Sequence, residues 1–404
     1  MGTNSGLNDD KYVEDLLNNK IKIHELDDIH GPLWASEVRK KFLEKKLKIK
    51  LEKTNVCNLE NVKSNVENWI GSTQVPLGIA GPLIVNNEEF FVPLATTEGA
   101  LVASVSRGCK VVNESGGATS IVLKNQQTRS ILFKVNKLED VKNLQEWVNN
   151  KFEELKQVGE VDEPFIKIVK IDFYSVGLNV WLRVCANTND AMGMNMVTIA
   201  SKKIAEHVQN NFKGDVEFIS ETGNMCVDKK PAAMNLINTR GKKVTASVLI
   251  PNSVVNDVLK TTSEKLIDMN YRKNLLGSAA SGSLGFNAHF ANIIAAMFIA
   301  TGQDVAHTVD GSLGFTTVEK AKEGVNFSVT LTSLQVGTVG GGTGLPTQKE
   351  ALAIMGVAGP GNPAGSNSKK LAEIVASAVL AGEISLLGAL CSKELANAHI
   401  KHNR

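Results

Sequence analysis

Cysteine is scarce in this sequence: its 404 residues include five cysteines, and no two of them form a C-x-x-C pair. They are scattered along the chain at Cys57, Cys109, Cys185, Cys226 and Cys391. An odd and scattered set argues against both a disulfide framework and a zinc site, and it is typical of a reducing compartment. We therefore expect a cytoplasmic protein that binds no metal.

The sequence also lacks an excess of either charge. The chain has 44 lysines and arginines against 42 aspartates and glutamates, a formal net charge of +2. So small an excess provides no extended basic face for the phosphates of a nucleic acid. Charged residues make up 21% of the chain and hydrophobic residues 43%, a balance that excludes intrinsic disorder. At this length we expect a globular protein of two or three domains with no nucleic-acid partner.

The sequence pattern shows neither a signal peptide nor a clear membrane span. The first residues, MGTNSGLNDDKYVEDLL, are polar and lack the apolar core of a signal peptide. The stretch from Asn274 to Gln303 has no formally charged residue and is long enough to cross a bilayer. It nevertheless contains Asn287, His289 and Asn292, and it includes the segment GSAASGSLG. We therefore predict a long buried central helix there, and no association with a membrane.

Hydrophobic periodicity between residues 131 and 220 predicts elements in the order β-α-β-β-α-β. They are a strand at Ile131–Val135, a helical stretch from Leu138 to Leu155, strands at Phe165–Phe173 and Val176–Cys185, a helix from about Met192 to Phe212, and a strand at Val216–Ile219. This order is that of the split βαβ, or ferredoxin-like, unit. We therefore predict an α+β fold. Its predicted parts are an N-terminal helical region (1–50), a large mixed domain (51–130 and 221–404) and an inserted ferredoxin-like small domain (131–220).

Four titratable side chains lie in patterns that suit catalysis. Glu98 lies among small apolar residues in ATTEGALVAS, where desolvation would suit a general acid, although an exposed loop glutamate fits the same pattern. Lys229, in the DKK triplet, could stabilise an oxyanion, although such triplets are common in solvated turns. Asp304 follows the uncharged stretch and, if buried, requires a partner such as a lysine. His399, in HIKHNR, could donate a proton near pH 7 or could belong to a frayed terminus.

Two glycine-rich segments, VGTVGGGTGLPTQ (336–348) and DAMGMNM (190–196), invite a dinucleotide interpretation. The first lacks a complete G-x-G-x-x-G pattern and the acidic residue that follows it in a Rossmann site. The second opens a helix whose backbone amides could hold a pyrophosphate. Its methionines could equally fill a core. The residues alone leave both possibilities open.

Seven segments in order resemble one family: 3-hydroxy-3-methylglutaryl-coenzyme A (HMG-CoA) reductase, class I, of the soluble archaeal kind. They are ENWIGSTQVPLGIAGPL, TTEGALVAS, DAMGMNM, DKKPAA, GQDVAHTV, VGTVGGGTGLPTQ and HIKHNR, between about Glu67 and Arg404. The resemblance implies reduction of HMG-CoA to mevalonate and free CoA by two hydride transfers from NADPH, in the mevalonate pathway to isoprenoids. It also implies a large domain that binds substrate and a small domain that binds NADP(H).

The resemblance assigns a role to each of the four titratable residues. Lys229 matches the lysine that stabilises the oxyanion formed when hydride attacks the thioester. Asp304 matches an aspartate between Lys229 and Glu98, where it holds the lysine charged and helps to keep the glutamate protonated. His399 matches the histidine that protonates the departing CoA thiolate. Glu98 would then supply the proton when the aldehyde accepts the second hydride.

The resemblance also implies three sets of binding residues. The substrate's carboxylate would be held by Arg129, Thr222, Asn224, Asp228, Lys230, Lys273 and Asn292. Coenzyme A would contact Ser104, Arg107 and Lys110 in one segment and Val258, Leu259 and Lys260 in another. The nicotinamide cofactor would contact Asp190, Ala191, Met192, Gly193, Met194 and Asn195, with Asn403 and Arg404 nearby.

One departure from the family pattern bears on the cofactor. Membrane-anchored members carry a Ser-Arg-Phe segment whose arginine contacts the 2′-phosphate of NADP, and this sequence has Glu163, Pro164 and Phe165 there. Lys202 or Lys203 could substitute for that arginine. Preference for NADH, or oxidation of mevalonate, is therefore an alternative within the same fold, and a non-catalytic CoA-binding protein is an alternative outside catalysis. The resemblance implies a homodimer or homotetramer with active sites at subunit interfaces.

Overall fold

A computed structural model of the protein describes residues 9–48, 50–51 and 66–392, apart from the side chain of His24. The chain forms two compact units, Met1–Pro76 and Leu77–Arg404. The described part of the first unit is helical, and the second unit combines helices with strands. The protein is therefore a mixed α and β structure with a helical N-terminal region, as the sequence predicts.

The described part of the N-terminal unit contains helices α1 (Asp9–Leu17), α2 (Leu26–His30) and α3 (Pro32–Leu47). Val13 and Leu16 are buried on α1, where their helical spacing places them on one face, and they share a core with Leu26. Arg39 is also buried, and its guanidinium lies 2.7 Å from the carboxylate of Asp27. The ion pair satisfies a charge that would otherwise be costly to bury.

The second unit contains the predicted site. Its strands are β1 (Leu77–Val85), β2 (Glu88–Ala95), β3 (Thr119–Val135), β4 (Lys167–Val176), β5 (Asn179–Asn187), β6 (Val216–Ser220), β7 (Gly241–Pro251), β8 (Gly285–Phe286), β9 (Gly314–Ala321) and β10 (Gly324–Leu334). Its helices are α4 (Leu101–Glu114), α5 (Leu138–Asn150), α6 (Phe152–Glu160), α7 (Met194–Asn211), α8 (Ala233–Asn238), α9 (Asn252–Asp257), α10 (Ser263–Met269), α11 (Ser278–Ala280), α12 (Phe290–Thr301), α13 (Thr308–Gly311), α14 (Pro346–Ile354) and α15 (Ser366–Ser392).

Strand β3 is long enough to take part in two groups of strands. Its first half pairs with β7, which continues through β10 and β9 to β8. Its second half pairs with β5 and β6, and β5 pairs with β4. The predicted strand Ile131–Val135 is therefore too short. Buried polar residues such as Gln126, Gln127 and Thr128 interrupt the apolar alternation that would have revealed the earlier part of the strand.

Residues 131–220 follow the predicted element order, with strands arranged β4-β5-β3-β6 and the first helical position filled by α5 and α6. The predicted break between two strands at Tyr174 and Ser175 is wrong, because both residues pair with β5 and the turn lies at Gly177 and Leu178. Gly177 has a φ of 57°, a conformation that glycine adopts easily. The assignment of this segment to a ferredoxin-like domain stays a prediction.

The uncharged stretch between Asn274 and Gln303 is not one long helix, and this prediction is wrong. It begins inside a wide helical segment, Asn270–Gly277, passes through α11 and β8, and ends as α12. Gly282 has a φ of 71°, and the Asn287 side chain accepts a hydrogen bond from the backbone N–H of Phe290 at 3.2 Å. A lack of charge indicates burial, but glycine and asparagine end one helix and start another.

The long buried helix of the fold is α15, which spans 27 residues and includes the helix that the sequence predicts at Leu371–Leu390. By length and composition α15 could cross a membrane, yet 78% of its most apolar part is buried inside the protein. Its contact with α4 is close, because a Cβ atom on Gly108 would lie 1.8 Å from the carbonyl oxygen of Ala381. This burial is that of a core helix.

Candidate active site

An ion pair between Lys229 and Asp304 brings two of the predicted catalytic residues into contact. The Lys229 Nζ lies 2.8 Å from the Asp304 Oδ2. Lys229 lies in the loop after β6 with a φ of 56°, and Asp304 caps the helical turn Val305–His307 by accepting a hydrogen bond from the backbone N–H of Ala306 at 3.1 Å. The two side chains are 43% and 37% exposed, so a substrate can reach the pair.

The electrostatics of the pair favour its charged form. Burial raises the pKa of Asp304, but the hydrogen bond from Lys229 and the charges of His307 and Lys229 outweigh that effect, so the pKa is lowered. Asp304 is therefore ionised near neutral pH and forms an ion pair with the Lys229 Nζ. A partly exposed ammonium group at a fixed position is the kind of group that can stabilise a developing oxyanion.

A buried cluster of charged side chains lies beside this pair. Arg240 is fully buried, and its guanidinium nitrogens lie 3.1 Å from the carboxylate of Asp228 and 3.1 Å from that of Asp310. The Nδ1 of His307 lies 3.2 Å from Asp310, while its Nε2 lies 3.6 Å from Asp304 and 3.8 Å from Asp228. Asp228, a predicted substrate contact, thus joins the cluster to the DKK loop.

The cluster also resembles a metal site in its spacing, since Asp228, His307 and Asp310 offer ligand atoms within 4.8 Å of one another. Arg240 contacts both carboxylates and supplies a positive charge from the chain itself. Burial lowers the pKa of Arg240, and the negative charges of Asp228 and Asp310 oppose this effect. An ion-pair network therefore explains these residues without a metal ion.

Sequence reasoning missed Arg240, His307 and Asp310. His307 follows Asp304 by three residues and Asp310 follows His307 by three, a spacing that puts side chains on one side of a helical turn. That pattern could have identified the two residues. Arg240 has no comparable signal, because only the folded chain brings it to the cluster.

Arg129 of β3, a predicted substrate residue, contacts the DKK loop through Asp228. The Arg129 Nε donates a hydrogen bond to the Thr198 Oγ1 at 2.7 Å, and its Nη1 lies 3.4 Å from Asp228. Thr222, Asn224 and Lys230 are exposed in the same loop. The Lys230 Nζ donates to the carbonyl oxygen of Asp228 at 3.1 Å. These contacts leave hydroxyl, amide and ammonium groups facing solvent beside the Lys229 pair.

Glu98, the predicted acid, belongs to a second group of residues. Its Oε1 accepts a hydrogen bond from the Asn292 Nδ2 at 3.2 Å, and Glu98 itself is exposed. Lys273 is exposed in the wide helical segment before α11. Within residues 66–392, neither Glu98 nor Asn292 forms a hydrogen bond or ion pair with Lys229 or Asp304. The position of Asp304 between Lys229 and Glu98 therefore stays a prediction.

The base of α12 is held by a buried carboxylate that sequence reasoning also missed. Glu383 of α15 is fully buried, and it accepts hydrogen bonds from the backbone N–H groups of Ala288 at 2.9 Å and His289 at 2.7 Å. The Thr316 hydroxyl donates a third bond at 2.6 Å. These bonds fix the turn from which α12 presents Asn292 to Glu98. A single acidic residue in an apolar helix is the sequence signal that could have identified Glu383.

The structure brings the two glycine-rich segments together. Ala191 and Val339 form a parallel β-bridge, and the backbone N–H of Thr338 donates to the carbonyl oxygen of Asp190 at 2.7 Å. A Cβ atom on Gly337 would lie 2.4 Å from the backbone nitrogen of Met192, so only glycine permits this approach. Sequence reasoning considered each segment alone, whereas the folded chain combines them.

Gln303 connects the paired segments to the catalytic pair. Its side-chain amide donates to the carbonyl oxygen of Gly337 at 2.9 Å and accepts from the Gly337 N–H at 2.9 Å. Asp304 is the next residue in the chain. The Lys229–Asp304 pair is therefore held at a fixed position beside the predicted cofactor segments.

The predicted cofactor residues 190–195 differ in their surroundings. Asp190 is buried, and its carboxylate accepts hydrogen bonds from the backbone N–H groups of Gly361 at 2.9 Å, Gly365 at 2.7 Å and Ser368 at 2.9 Å. It therefore orders the start of α15. Ala191, Met192 and Gly193 are partly exposed, Met194 is buried at the start of α7, and Asn195 is exposed. Phe165 meets this loop, since its carbonyl oxygen accepts a bond from the Asn189 Nδ2 at 3.0 Å.

The two predicted CoA segments both lie against α15. The Ser104 Oγ is 3.0 Å from the Ser385 Oγ, and the Arg107 Nη2 donates to the Ser385 carbonyl oxygen at 2.5 Å. Leu259 is buried against Gly388, so it packs the core, and Val258 is partly buried. Lys110 and Lys260 are exposed at the surface. His399, Asn403 and Arg404 lie outside the described residues.

The chain is similar in sequence to one family of known proteins. The family model described as hydroxymethylglutaryl-coenzyme A reductase matches residues 35–404. The 3-hydroxy-3-methylglutaryl-coenzyme A reductase of Methanocaldococcus jannaschii is 47% identical over 400 residues, covering 96% of this chain and 97% of the relative. That of Aeropyrum pernix is 48% identical over 403 residues, covering 94% and 96%.

A solved structure shares the fold at lower identity. It is that of the class II 3-hydroxy-3-methylglutaryl-CoA reductase from Streptococcus pneumoniae bound to NADPH in open conformations. The TM-score is 0.66 and the sequence identity 22%, over 94% of this chain and 96% of the other.

Proposed function

The chain belongs to the hydroxymethylglutaryl-coenzyme A reductase family of oxidoreductases, and on that basis we propose that it reduces HMG-CoA to mevalonate and CoA with two NADPH. The observation that carries the proposal is the 2.8 Å contact between Lys229 and Asp304. It places a charged ammonium group at the surface beside the paired glycine-rich segments. An oxyanion formed by hydride addition to a thioester needs such a group.

The reaction divides into two reductions with a bond cleavage between them. Nicotinamide supplies one hydride in each reduction. Lys229 would stabilise the oxyanion that forms on the thioester carbonyl, and collapse of that adduct breaks the C–S bond to give mevaldehyde and a CoA thiolate. His399 would protonate the thiolate. Glu98 would give a proton to the aldehyde oxygen during the second reduction, with Lys229 again nearby.

The chain's own residues fit a dinucleotide at the paired glycine-rich segments. Gly193 has a φ of 85° at the start of α7, and a Cβ atom there would lie 2.3 Å from the Thr188 side chain. Because Gly193 has no side chain, the backbone packs closely against Thr188, and the neighbouring residues Ala191 and Met192 remain partly exposed to solvent. The amides at the start of α7 would face the anionic part of the cofactor.

We also propose that the active site forms between subunits of a homodimer or homotetramer. The support is that no hydrogen bond or ion pair joins Glu98 or Asn292 to the Lys229 pair within the described part of one chain. Large apolar side chains are exposed near the pair: Val305 is 46% exposed, and Ile237, which follows the DKK loop on α8, is 75% exposed. An apolar surface beside an incomplete site fits coverage by a partner. The second chain would bring its Glu98 to this chain's Lys229.

The proposed organisation of the chain has three parts. We propose a ferredoxin-like small domain of residues 131–220 that binds NADP(H), a large substrate domain of residues 51–130 and 221–404, and a separate helical region of residues 1–50. The strand arrangement β4-β5-β3-β6 and a separate apolar core support the small domain. The buried Cys109, Cys185 and Cys226 support a reducing, cytoplasmic location.

Cofactor preference is the open part of this function. Both lysines that could contact a 2′-phosphate already have a carboxylate partner. The Lys202 Nζ is 3.9 Å from Glu206, and the Lys203 Nζ is 3.3 Å from Asp162. NADH preference, or mevalonate oxidation, is thus the second candidate. A non-catalytic CoA-binding role is disfavoured, because CoA binding alone would not require the ion pair between Lys229 and Asp304.

The test is a steady-state assay of HMG-CoA reduction with NADPH and with NADH, on wild type and on Lys229→Ala. The wild type should turn over faster with NADPH, and Lys229→Ala should lose about a thousandfold or more in kcat, the effect of removing an oxyanion-stabilising group. Lys167→Ala removes an exposed lysine that pairs with Glu160 at 3.3 Å and is the matched control. Undiminished turnover by Lys229→Ala would refute the role, and equal or better rates with NADH would refute the preference.

A further inference from the structure

We propose that His307 is a positioning residue that acts on Asp304, orienting its carboxylate towards Lys229 and keeping it ionised. The inference rests on the proposed function and adds a residue to its machinery. His307 is 1% exposed, so its imidazole is screened from water and its contacts are with protein groups. It lies in the turn that Asp304 caps, which fixes the distance between the two side chains.

Both ring nitrogens of His307 face carboxylates. The Nδ1 is 3.2 Å from the Asp310 Oδ1 and 3.5 Å from the Arg240 Nη1, and these two contacts orient the ring. The Nε2 is buried and has no hydrogen-bond partner among the residues that the structure describes, and it lies 3.6 Å from Asp304 and 3.8 Å from Asp228. An approach of about 0.5 Å by either carboxylate would complete a hydrogen bond. The imidazole is therefore positioned to hold Asp304 when the substrate draws Lys229 away from it.

Each carboxylate that faces His307 has a cationic partner. The pairs are Asp228 with Arg129 and Arg240, Asp310 with Arg240, and Asp304 with Lys229. The Lys230 Nζ also contacts the carbonyl oxygen of Asp228. In the proposed reaction Lys229 turns to the substrate, so Asp304 is the carboxylate that a second contact from His307 would hold.

The pKa of Asp304 depends in part on His307. Burial raises its pKa, and the groups that lower the pKa below its usual range are the Lys229 hydrogen bond and the His307 and Lys229 charges. Removing the imidazole would therefore leave Asp304 easier to protonate. A neutral Asp304 no longer holds Lys229 in an ion pair, and the oxyanion loses its positioned partner.

The experiment compares the pH dependence of kcat for HMG-CoA reduction in wild type and His307→Gln. Glutamine keeps a hydrogen-bond donor but cannot carry the charge. We expect the acid limb of the profile to move to higher pH by about 0.5 to 1 unit, with a smaller change in KM for HMG-CoA. Asp310→Asn, which keeps the imidazole but removes the carboxylate at its Nδ1, should shift the limb in the same direction.

His207→Gln is the matched control. Its Nε2 lies 2.7 Å from a Glu154 carboxylate oxygen on α6, among helices α5–α7 and away from the Lys229 pair. It should leave the acid limb in place. A merely structural His307 would lower kcat at all pH values without moving the limb, and that result would overturn the proposal, as would an equal shift in His207→Gln. If His307→Gln does not fold, the shift in Asp310→Asn decides.

A second measurement separates this inference from the proposed function. The midpoint of thermal unfolding is measured for wild type, His307→Gln, Asp304→Asn and the double variant, which requires no activity. Interacting groups give a non-additive double variant at pH 7, where Asp304 is ionised. Additive effects would overturn the inference. A wild type that reduces nothing would instead defeat the proposed function alone.

Discussion

Lys242 shows how far a single residue can depart from its usual chemistry in this chain. It lies fully buried on β7, and its Nζ donates to the carbonyl oxygen of Val336, in the glycine-rich segment, at 3.3 Å. Burial lowers the pKa of Lys242 to about 8, and the charge of Asp190 opposes this effect only in part. Lys242 is therefore close to losing its proton under ordinary conditions.

This lowered pKa predicts a pH dependence of stability. From about pH 8 to the usual lysine range the unfolded chain holds a proton that the folded chain has released, so the free energy of unfolding rises with pH. Below about pH 8 both states are protonated, and the cost of the buried charge is fully present. Relative to Lys242→Met, the wild type should gain on the order of 3 kcal/mol as the pH rises through this window. Thermal unfolding at several pH values measures it, and parallel curves would contradict it.

At the residue scale, the sequence predicts which side chains take part in the chemistry better than it predicts which side chains contact one another. Lys229 and Asp304 were identified from their motifs, and the structure places them 2.8 Å apart. Arg240 was not identified, because its partners Asp228 and Asp310 become neighbours only when distant segments fold together. Ion pairs between such segments leave no local pattern for sequence reasoning to detect.

At the scale of elements, the close pairing of residues 190–192 with residues 337–339 depends on one glycine. Gly337→Ala places a Cβ atom 2.4 Å from the backbone nitrogen of Met192, which must then move. We expect KM for the nicotinamide cofactor to rise about tenfold or more, while binding of HMG-CoA changes little. Steady-state kinetics with each substrate varied in turn measures this split.

Gly344→Ala is the control for that prediction, because a Cβ atom there meets no other group within 4 Å. It should leave both KM values near those of wild type. Thermal unfolding of Gly337→Ala establishes that the variant folds. Equal increases in KM for cofactor and HMG-CoA would contradict a role confined to the cofactor segments.

Elements were predictable where periodicity was regular. The order of strands and helices in residues 131–220 follows from alternating and helical apolar spacing, although the hairpin turn was misplaced. The prediction of one long helix from Asn274 to Gln303 is wrong, because an uncharged run indicates burial and does not specify secondary structure. The early part of β3 was missed because its buried side chains are polar and hydrogen-bonded.

At the scale of the whole molecule, the two groups of site residues predict shared active sites. If Glu98 of one subunit serves Lys229 of another, mixing inactive Glu98→Gln and Lys229→Ala chains should restore activity. Random dimers would regain up to about a quarter of wild-type activity, since half are mixed and each mixed dimer has one intact site. The measurement is activity after the two variants are unfolded and refolded together. Separately refolded variants are the control, and no recovery on mixing would contradict a site built from two chains.

The proposed reaction requires two successive reductions at the Lys229–Asp304 pair. The most direct measurement is the stoichiometry of the complete reaction: NADPH oxidised per CoA thiol released, with HMG-CoA limiting. We predict a ratio of two, because one hydride forms the aldehyde and a second forms the alcohol. A ratio of one, or release of CoA without oxidation of NADPH, would contradict the account.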